Sequence, residues 1–179
     1  MANRTDLDSL FKEHGFADYR WLDPKAVQVS QWVRMKCMFG CGDYGRRACC
    51  PPNVPSVAEC RQFLSEYSSA AIFHFEKAVD RPEDRHAWGQ AINEELMKLE
   101  RHVFLAGHER AFLLLMACCS LCAECTATRQ DCKNPRLARP VPEAFAIDVF
   151  STARQCGYPI HVLSDYTQTM HRYAFIMIE

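Results

Sequence analysis

The sequence lacks a long apolar segment. Its longest apolar run, residues 111–119, is far shorter than the roughly 20 residues of a membrane-spanning helix. The polar N-terminus also lacks the apolar core of a secretory signal peptide. No charge of one sign predominates, because 21 basic residues face 22 acidic ones, and this excludes a broad attraction to nucleic acid or anionic membranes. We therefore expect a cytoplasmic protein that binds neither nucleic acid nor a membrane.

Cysteine, in contrast, is abundant, with 11 among 179 residues. A reducing cytoplasm does not favour disulfides, so clustered cysteines there more often hold a metal or carry out redox chemistry. The chain is long enough, and with 49% hydrophobic residues apolar enough, to bury a core without disulfides. We expect a single metal-binding domain over residues 1–179, with an N-terminal segment (1–32), a first cysteine motif (33–55) and a second (118–135).

Hydrophobic periodicity predicts several regular elements. The expected helices cover residues 7–14, 57–67, 83–106 and 143–155, and the expected strands cover 17–22, 70–75, 111–117, 159–163 and 173–178. Ser56 and Glu59 have the spacing of a capping box, and Gly107 follows the longest helix as a stop signal. Residues 34–55 are rich in cysteine, glycine and proline, which predicts an irregular loop.

The alternation of helices and strands indicates the fold class. It predicts an α/β or α+β sandwich, with one sheet of about four to five strands, helices packed on it and two cysteine-rich metal-binding loops. We expect parallel connections where a helix intervenes, and an antiparallel edge formed by the last two strands.

The second cysteine motif follows a predicted buried strand. It consists of Cys119-x2-Cys122-x2-Cys125, then Cys132, with Pro135 shortly after. Three thiolates at this spacing wrap a loop around three corners of an iron–sulfur cubane, as in bacterial ferredoxins. The six residues between Cys125 and Cys132 exceed the ferredoxin spacing, so Cys132 closes either this cluster or another.

The first motif consists of Cys37-x3-Cys41 and the run Cys49-Cys50-Pro51-Pro52. A cysteine directly before proline is typical of cluster-binding sequences, which favours Cys50 over Cys49 as a ligand. The neighbouring Arg46 and Arg47 either offset the charge of a thiolate cluster or are simply solvated.

The ligand count leaves the number of clusters open. Two four-iron clusters need eight ligands, whereas setting Cys49 and Cys118 aside leaves seven candidates: Cys37, Cys41, Cys50, Cys119, Cys122, Cys125 and Cys132. Either the motifs pool around one cluster plus a second, incomplete cluster with an open iron, or a group outside the motifs supplies the eighth ligand. Zinc is the rival occupant, although its usual pattern pairs two C-x2-C knuckles a dozen or more residues apart.

Other residues are less informative. Cys60 and Cys156 lie on the apolar faces of predicted helices and are expected in the core. The seven histidines are dispersed and show no ligand spacing.

Together these motifs resemble a prokaryotic family of cysteine-rich predicted metal-binding proteins, a domain of unknown function. The matching residues are Lys36-Cys37, Cys41-Gly42-Asp43-Tyr44-Gly45, Cys50-Pro51-Pro52, Cys119-Ser120-Leu121-Cys122-Ala123-Glu124-Cys125, Cys132-Lys133-Asn134-Pro135, Arg139-Pro140 and Ile147-Asp148-Val149-Phe150. The resemblance implies metal binding, with the seven candidate cysteines at the positions of the family's own.

Three hypotheses follow for function. The first is a protein that binds one or two [4Fe–4S] clusters and transfers electrons, or carries out redox chemistry, with an unidentified partner protein. The alternative is a zinc-stabilised structural or interaction module without redox activity. The third is an enzyme or sensor that uses a reactive cysteine from one of the two doublets, Cys49-Cys50 or Cys118-Cys119.

Overall fold

The computed structural model describes residues 4–165 and 167–179, so the first three residues of the expected N-terminal segment lie outside it. Within these described residues, five α-helices and four strands follow one another. The helices are α1 (Arg4–Glu13), α2 (Gln31–Gly40), α3 (Val57–Ser65), α4 (Asp84–Leu105) and α5 (Val149–Gln155); the strands are β1 (Tyr19–Leu22), β2 (Ala70–Lys77), β3 (Phe112–Leu114) and β4 (Met170–Met177). Short 3-10 helices cover Pro24–Ala26 and Pro142–Phe145.

The strands form one open sheet in the order β1-β2-β4-β3, and every neighbouring pair is antiparallel. The fold is therefore α+β, as one of the two expected classes. Both β2 and β3 are antiparallel to β4, so they run parallel to each other, as expected for strands joined through α4, although β4 lies between them. The parallel connection expected between β1 and β2 is wrong, because these two strands pair antiparallel although α2 and α3 intervene.

Two apolar layers cover the two faces of this sheet. On one face, α1 and α4 pack through Leu7, Phe11, Leu96 and Leu99, all buried, against alternate residues of the strands such as Phe73. On the other face, α3 and α5 pack through residues including Cys60, Leu64 and Ala153. Cys60 is fully buried in this second layer, as expected. Because successive strand residues point to opposite faces, one sheet supports both layers.

Several predicted elements are confirmed. Ser56 and Glu59 form the capping box at the start of α3, with each side chain bonded to the other residue's backbone N–H. Helix α4 has the expected length, and Gly107 follows it at a φ of 100°, a left-handed conformation that glycine adopts without strain. Within the described residues, no helix has the length and apolar character required to cross a membrane.

Other local predictions are wrong. Residues 34–55 are not all loop, because α2 extends to Gly40 and carries Cys37. The helix expected over 143–155 is interrupted at Ala146. This residue adopts a left-handed φ of 58° and ends the 3-10 helix, and Asp148 then caps the start of α5. Residues 159–163 form no strand, because β4 already has β2 on one side and β3 on the other.

Arg139, in the segment that follows the second motif, ties that segment to the core. Its Nε lies 2.8 Å from a carboxylate oxygen of Glu100 on α4, and the same oxygen accepts a hydrogen bond from the Leu113 backbone N–H at 2.9 Å. The Glu100 side chain is only 10% exposed. A charge this buried needs a partner, so Arg139 has a structural role rather than that of a free surface charge.

Replacing Arg139 by methionine should therefore destabilise the fold. Arg139→Met leaves the Glu100 carboxylate buried without a cation, and we expect the melting temperature to fall by about 5 °C or more. Arg136→Met is the matched control, since Arg136 is exposed. Thermal unfolding followed by circular dichroism measures both, and equal melting temperatures would contradict the role of the ion pair.

Candidate metal centre

The first cysteine motif starts on a helix and ends in a series of turns. Cys37 lies in the last turn of α2, and Cys41 directly follows the helix. Gly45 then adopts a φ of 73°, and its N–H bonds to the carbonyl of Pro51 at 2.9 Å. This bond folds the loop back on itself and positions Cys49 and Cys50 beside the second motif.

Helix α4 positions the start of the second motif. The buried side chain of Asn93 donates to the Ala117 carbonyl at 2.8 Å and accepts from the Ala117 N–H at 3.3 Å. A Cβ at Gly89 would lie 2.9 Å from the Ala117 side chain, so a residue without a side chain permits this close approach. Ala117 directly precedes Cys118, and its attachment to α4 therefore holds the doublet in place.

The two cysteine doublets pair in antiparallel order. Cys50 and Cys118 line one cavity, and Cys49 and Cys119 line another. Within each pair the two thiols are close enough to shift each other's pKa. Each doublet therefore sends one thiol to each side of the pair. The cysteines therefore form two separate groups. The groups are adjacent, because the two residues of each doublet belong to different groups.

We name these groups site 1 and site 2. Site 1 is a cavity lined by Cys37, Cys41, Cys50 and Cys118, and site 2 is a cavity lined by Cys49, Cys119, Cys122, Cys125 and Cys132. The cavity of site 1 measures about 190 Å³, and that of site 2 about 20 Å³. Cys60 and Cys156 line neither cavity. Cys60 lies in the core as expected, whereas Cys156 is partly buried at its edge.

This division keeps all seven candidates with the other candidates of their own motif. Cys37, Cys41 and Cys50 share one cavity, while Cys119, Cys122, Cys125 and Cys132 share the other. The sequence analysis set Cys118 and Cys49 aside, yet each lines a cavity. The available signal was the presence of a cysteine doublet in each motif, since two consecutive cysteines can contribute to two different sites.

Backbone and side-chain N–H groups are directed at the sulfurs of site 2. The Ala48 N–H donates to the Cys125 sulfur at 3.4 Å, and the Asn134 amide donates to the Cys122 sulfur at 3.0 Å. Such bonds stabilise a thiolate and tune a metal bound to it. Ala48 belongs to the first motif, so this contact also ties the two motifs together.

Contacts between the doublets also set the acidity of their thiols. The Cys50 thiol lowers the pKa of Cys118, assisted by the nearby Arg47 guanidinium and opposed by burial. The Cys49 thiol likewise lowers the pKa of Cys119. The same contacts, together with burial, raise the pKa of Cys49 and Cys50. Each site therefore has one thiol whose lowered pKa favours the thiolate, the form that binds metal.

Arg47 and Asn53 connect the two motifs. Arg47 donates to the Cys119 carbonyl at 3.0 Å and pairs with Asp43 at 3.3 Å. The Asn53 amide donates to the carbonyls of Arg47 and Ala127, at 3.3 and 2.6 Å. Of the two arginines that the sequence left undecided, Arg46 is exposed, whereas Arg47 is a half-buried cross-link.

Comparison with known families gives one match. The family model described as "Predicted metal-binding protein (DUF2284)" matches residues 20–178. The matched span includes both cysteine motifs and all the elements from α2 onward. Comparisons with curated proteins and with solved structures found no match.

Loss of the Arg47 cross-link should loosen both sites. Arg47→Met removes the bond to Cys119 and the cation beside the doublets, and we expect bound metal to pass to a chelator about tenfold faster or more. Arg46→Met, a change of the same size at the adjacent exposed position, should release metal at the wild-type rate. The measurement is stopped-flow or manual chelator competition under anaerobic conditions; indistinguishable rates for the two variants would refute the cross-link's role.

Proposed function

The chain belongs to this family of predicted metal-binding proteins, and we propose that it binds two [4Fe–4S] clusters and exchanges electrons with a partner protein. The observation that carries the proposal is the division of nine cysteines between two adjacent cavities. We assign Cys37, Cys41, Cys50 and Cys118 to the cluster of site 1, and Cys119, Cys122, Cys125 and Cys132 to that of site 2. This supplies the eight ligands that two clusters require. Cys49 is then a spare thiol beside site 2.

The type and spacing of the donor atoms support iron–sulfur clusters over zinc. Four thiolates around a zinc ion lie about 3.8 Å apart, given zinc–sulfur bonds of about 2.3 Å in a tetrahedron. Among residues 4–165 and 167–179, no group of three cysteine sulfurs lies within 4.8 Å of one another. A four-iron core holds its thiolates further apart than a single ion does. The cavity of about 190 Å³ in site 1 also far exceeds the volume of one ion.

The surroundings of the sites support a redox role. A bound [4Fe–4S] cluster takes up and releases one electron, at a potential set by hydrogen bonds, charge and solvent exposure. The N–H donors to Cys122 and Cys125 and the Arg47 cation beside both doublets all favour the more negative, reduced state. Cys41 is exposed, so site 1 lies close to the surface that a partner protein would approach.

Zinc is a second candidate for site 2 alone. The cavity of about 20 Å³ there has room for roughly one water molecule. A four-iron core would require its thiols to turn outward, whereas a single zinc ion would require a smaller rearrangement. A zinc ion in site 2 would have a structural role, so removing it would unfold the second motif without any redox change.

Elemental analysis of anaerobically purified protein distinguishes these occupants. Two clusters predict about eight irons and about eight acid-labile sulfides per chain, with little zinc. About four irons with one zinc would place zinc in one site. Zinc without sulfide would contradict the proposal and favour the structural module.

Removing ligands from one site tests the division of the cysteines. In Cys50→Ala/Cys118→Ala, site 1 loses two of its four ligands, and we expect iron to fall to about four per chain while site 2 stays filled. The matched control is Cys60→Ala/Cys156→Ala, which changes two cysteines that line neither cavity and should keep the wild-type iron content. Full iron in the site 1 variant would contradict the assignment.

A further inference from the structure

Three side chains on β2 and β4 form a group that is separate from the cysteine sites. His74 and Glu76 lie two residues apart on β2 and so point to the same face of the sheet. His171 on β4 is the cross-strand partner of Glu76. The sheet register therefore brings together two imidazoles and one carboxylate, and one potential ligand atom from each lies within 4.8 Å of the other two.

The distances within this group suit a metal ion. His74 Nε2 lies 2.9 Å from His171 Nδ1, which in turn lies 3.8 Å from a carboxylate oxygen of Glu76. Adjacent ligands of an octahedral ion, each about 2.1 Å from it, are about 3.0 Å apart. The two nitrogens thus already have the separation of neighbouring ligands. A hydrogen bond between the two imidazoles explains the same distance without a metal, and the experiment below separates the two cases.

Asp18 gives His74 the orientation of a metal ligand. Its carboxylate lies 2.6 Å from His74 Nδ1 and accepts a hydrogen bond from the Tyr158 hydroxyl at 2.9 Å. The His74 side chain is only 5% exposed and stacks on the ring of Tyr173. A carboxylate on one ring nitrogen holds the proton there and leaves the other nitrogen free to bind a metal. His74 Nε2, the nitrogen that faces His171 and Glu76, is the one left free.

We propose that His74, Glu76 and His171 bind one divalent first-row transition-metal ion, with Asp18 as a positioning residue. Two histidines and one carboxylate occupy one face of an octahedral ion and leave its other positions open to water or a small oxygen ligand. The donors are nitrogen and oxygen, so this site selects a different class of ion from the thiolate sites. The proposal holds whatever metal occupies sites 1 and 2.

Cobalt binding to anaerobically purified protein with its thiolate sites filled provides the test. Equilibrium dialysis against Co²⁺, followed by elemental analysis, should show one saturable equivalent of cobalt per chain with no loss of iron or zinc. Unchanged native metal content excludes displacement from the cysteine sites. The failure of this proposal is therefore distinguishable from a failure of the cluster assignment.

Variants of the ligands should weaken cobalt binding selectively. Glu76→Gln and His171→Asn should each raise the Kd for Co²⁺ at least about tenfold, and Asp18→Asn by about ten- to a hundredfold. Glu76 has a side chain that is 64% exposed, so Glu76→Gln leaves the fold intact and keeps the test valid if a histidine variant misfolds.

A second histidine pair in the chain offers a matched control. His14 Nε2 lies 2.6 Å from His102 Nδ1 at an exposed contact, and among the described residues this pair belongs to no group of three potential ligands within 4.8 Å. His102→Asn should bind cobalt as the wild type does. The proposal would be overturned if the wild type showed no saturable cobalt binding. It would also be overturned if Glu76→Gln and His171→Asn bound cobalt as tightly as the control does. In either case His74 and His171 would form only a hydrogen-bonded imidazole pair.

Discussion

The antiparallel pairing of two cysteine doublets is the constraint on which the metal centre depends. Each doublet supplies one thiol to each of two cavities. Cys50 pairs with Cys118 and Cys49 with Cys119. The contacts around the doublets maintain this pairing: Asn93 fixes the residue before Cys118, and Arg47 binds the carbonyl of Cys119. Without this alignment the two motifs would present their cysteines to unrelated surfaces.

The two kinds of candidate site differ in the chemistry of their donors. Thiolates at sites 1 and 2 favour iron–sulfur clusters or zinc, whereas the imidazoles and carboxylate on β2 and β4 favour harder divalent ions. Their surroundings differ accordingly. N–H donors point at Cys122 and Cys125 in site 2, while a carboxylate, Asp18, orients His74. A chain of 179 residues can keep such sites apart because one lies in loops and the other on the sheet.

Local sequence signals predicted the local structure. They did not predict the pairing of strands or the contacts between residues that are far apart in the sequence. The capping box of Ser56 and the periodicity of α4 depend on neighbouring residues, and both elements form as expected. Helix α2 was missed because the cysteines and glycines after it resemble a loop. The place of β4 between β2 and β3 was not predictable, since strand pairing is set by contacts across the whole chain. Cys118 and His171 were overlooked for the same reason: their neighbours, Cys50 and His74, are 68 and 97 residues away in sequence.

Electron paramagnetic resonance of the reduced protein tests the central claim most directly. Two [4Fe–4S] clusters held by consecutive cysteines would lie close enough for their unpaired electrons to interact. After anaerobic reduction with dithionite, we predict a signal that integrates to about two spins per chain and is broadened by this interaction. A protein with no cluster signal after reduction, or with a single unbroadened one from one spin per chain, would contradict the assignment of two adjacent clusters.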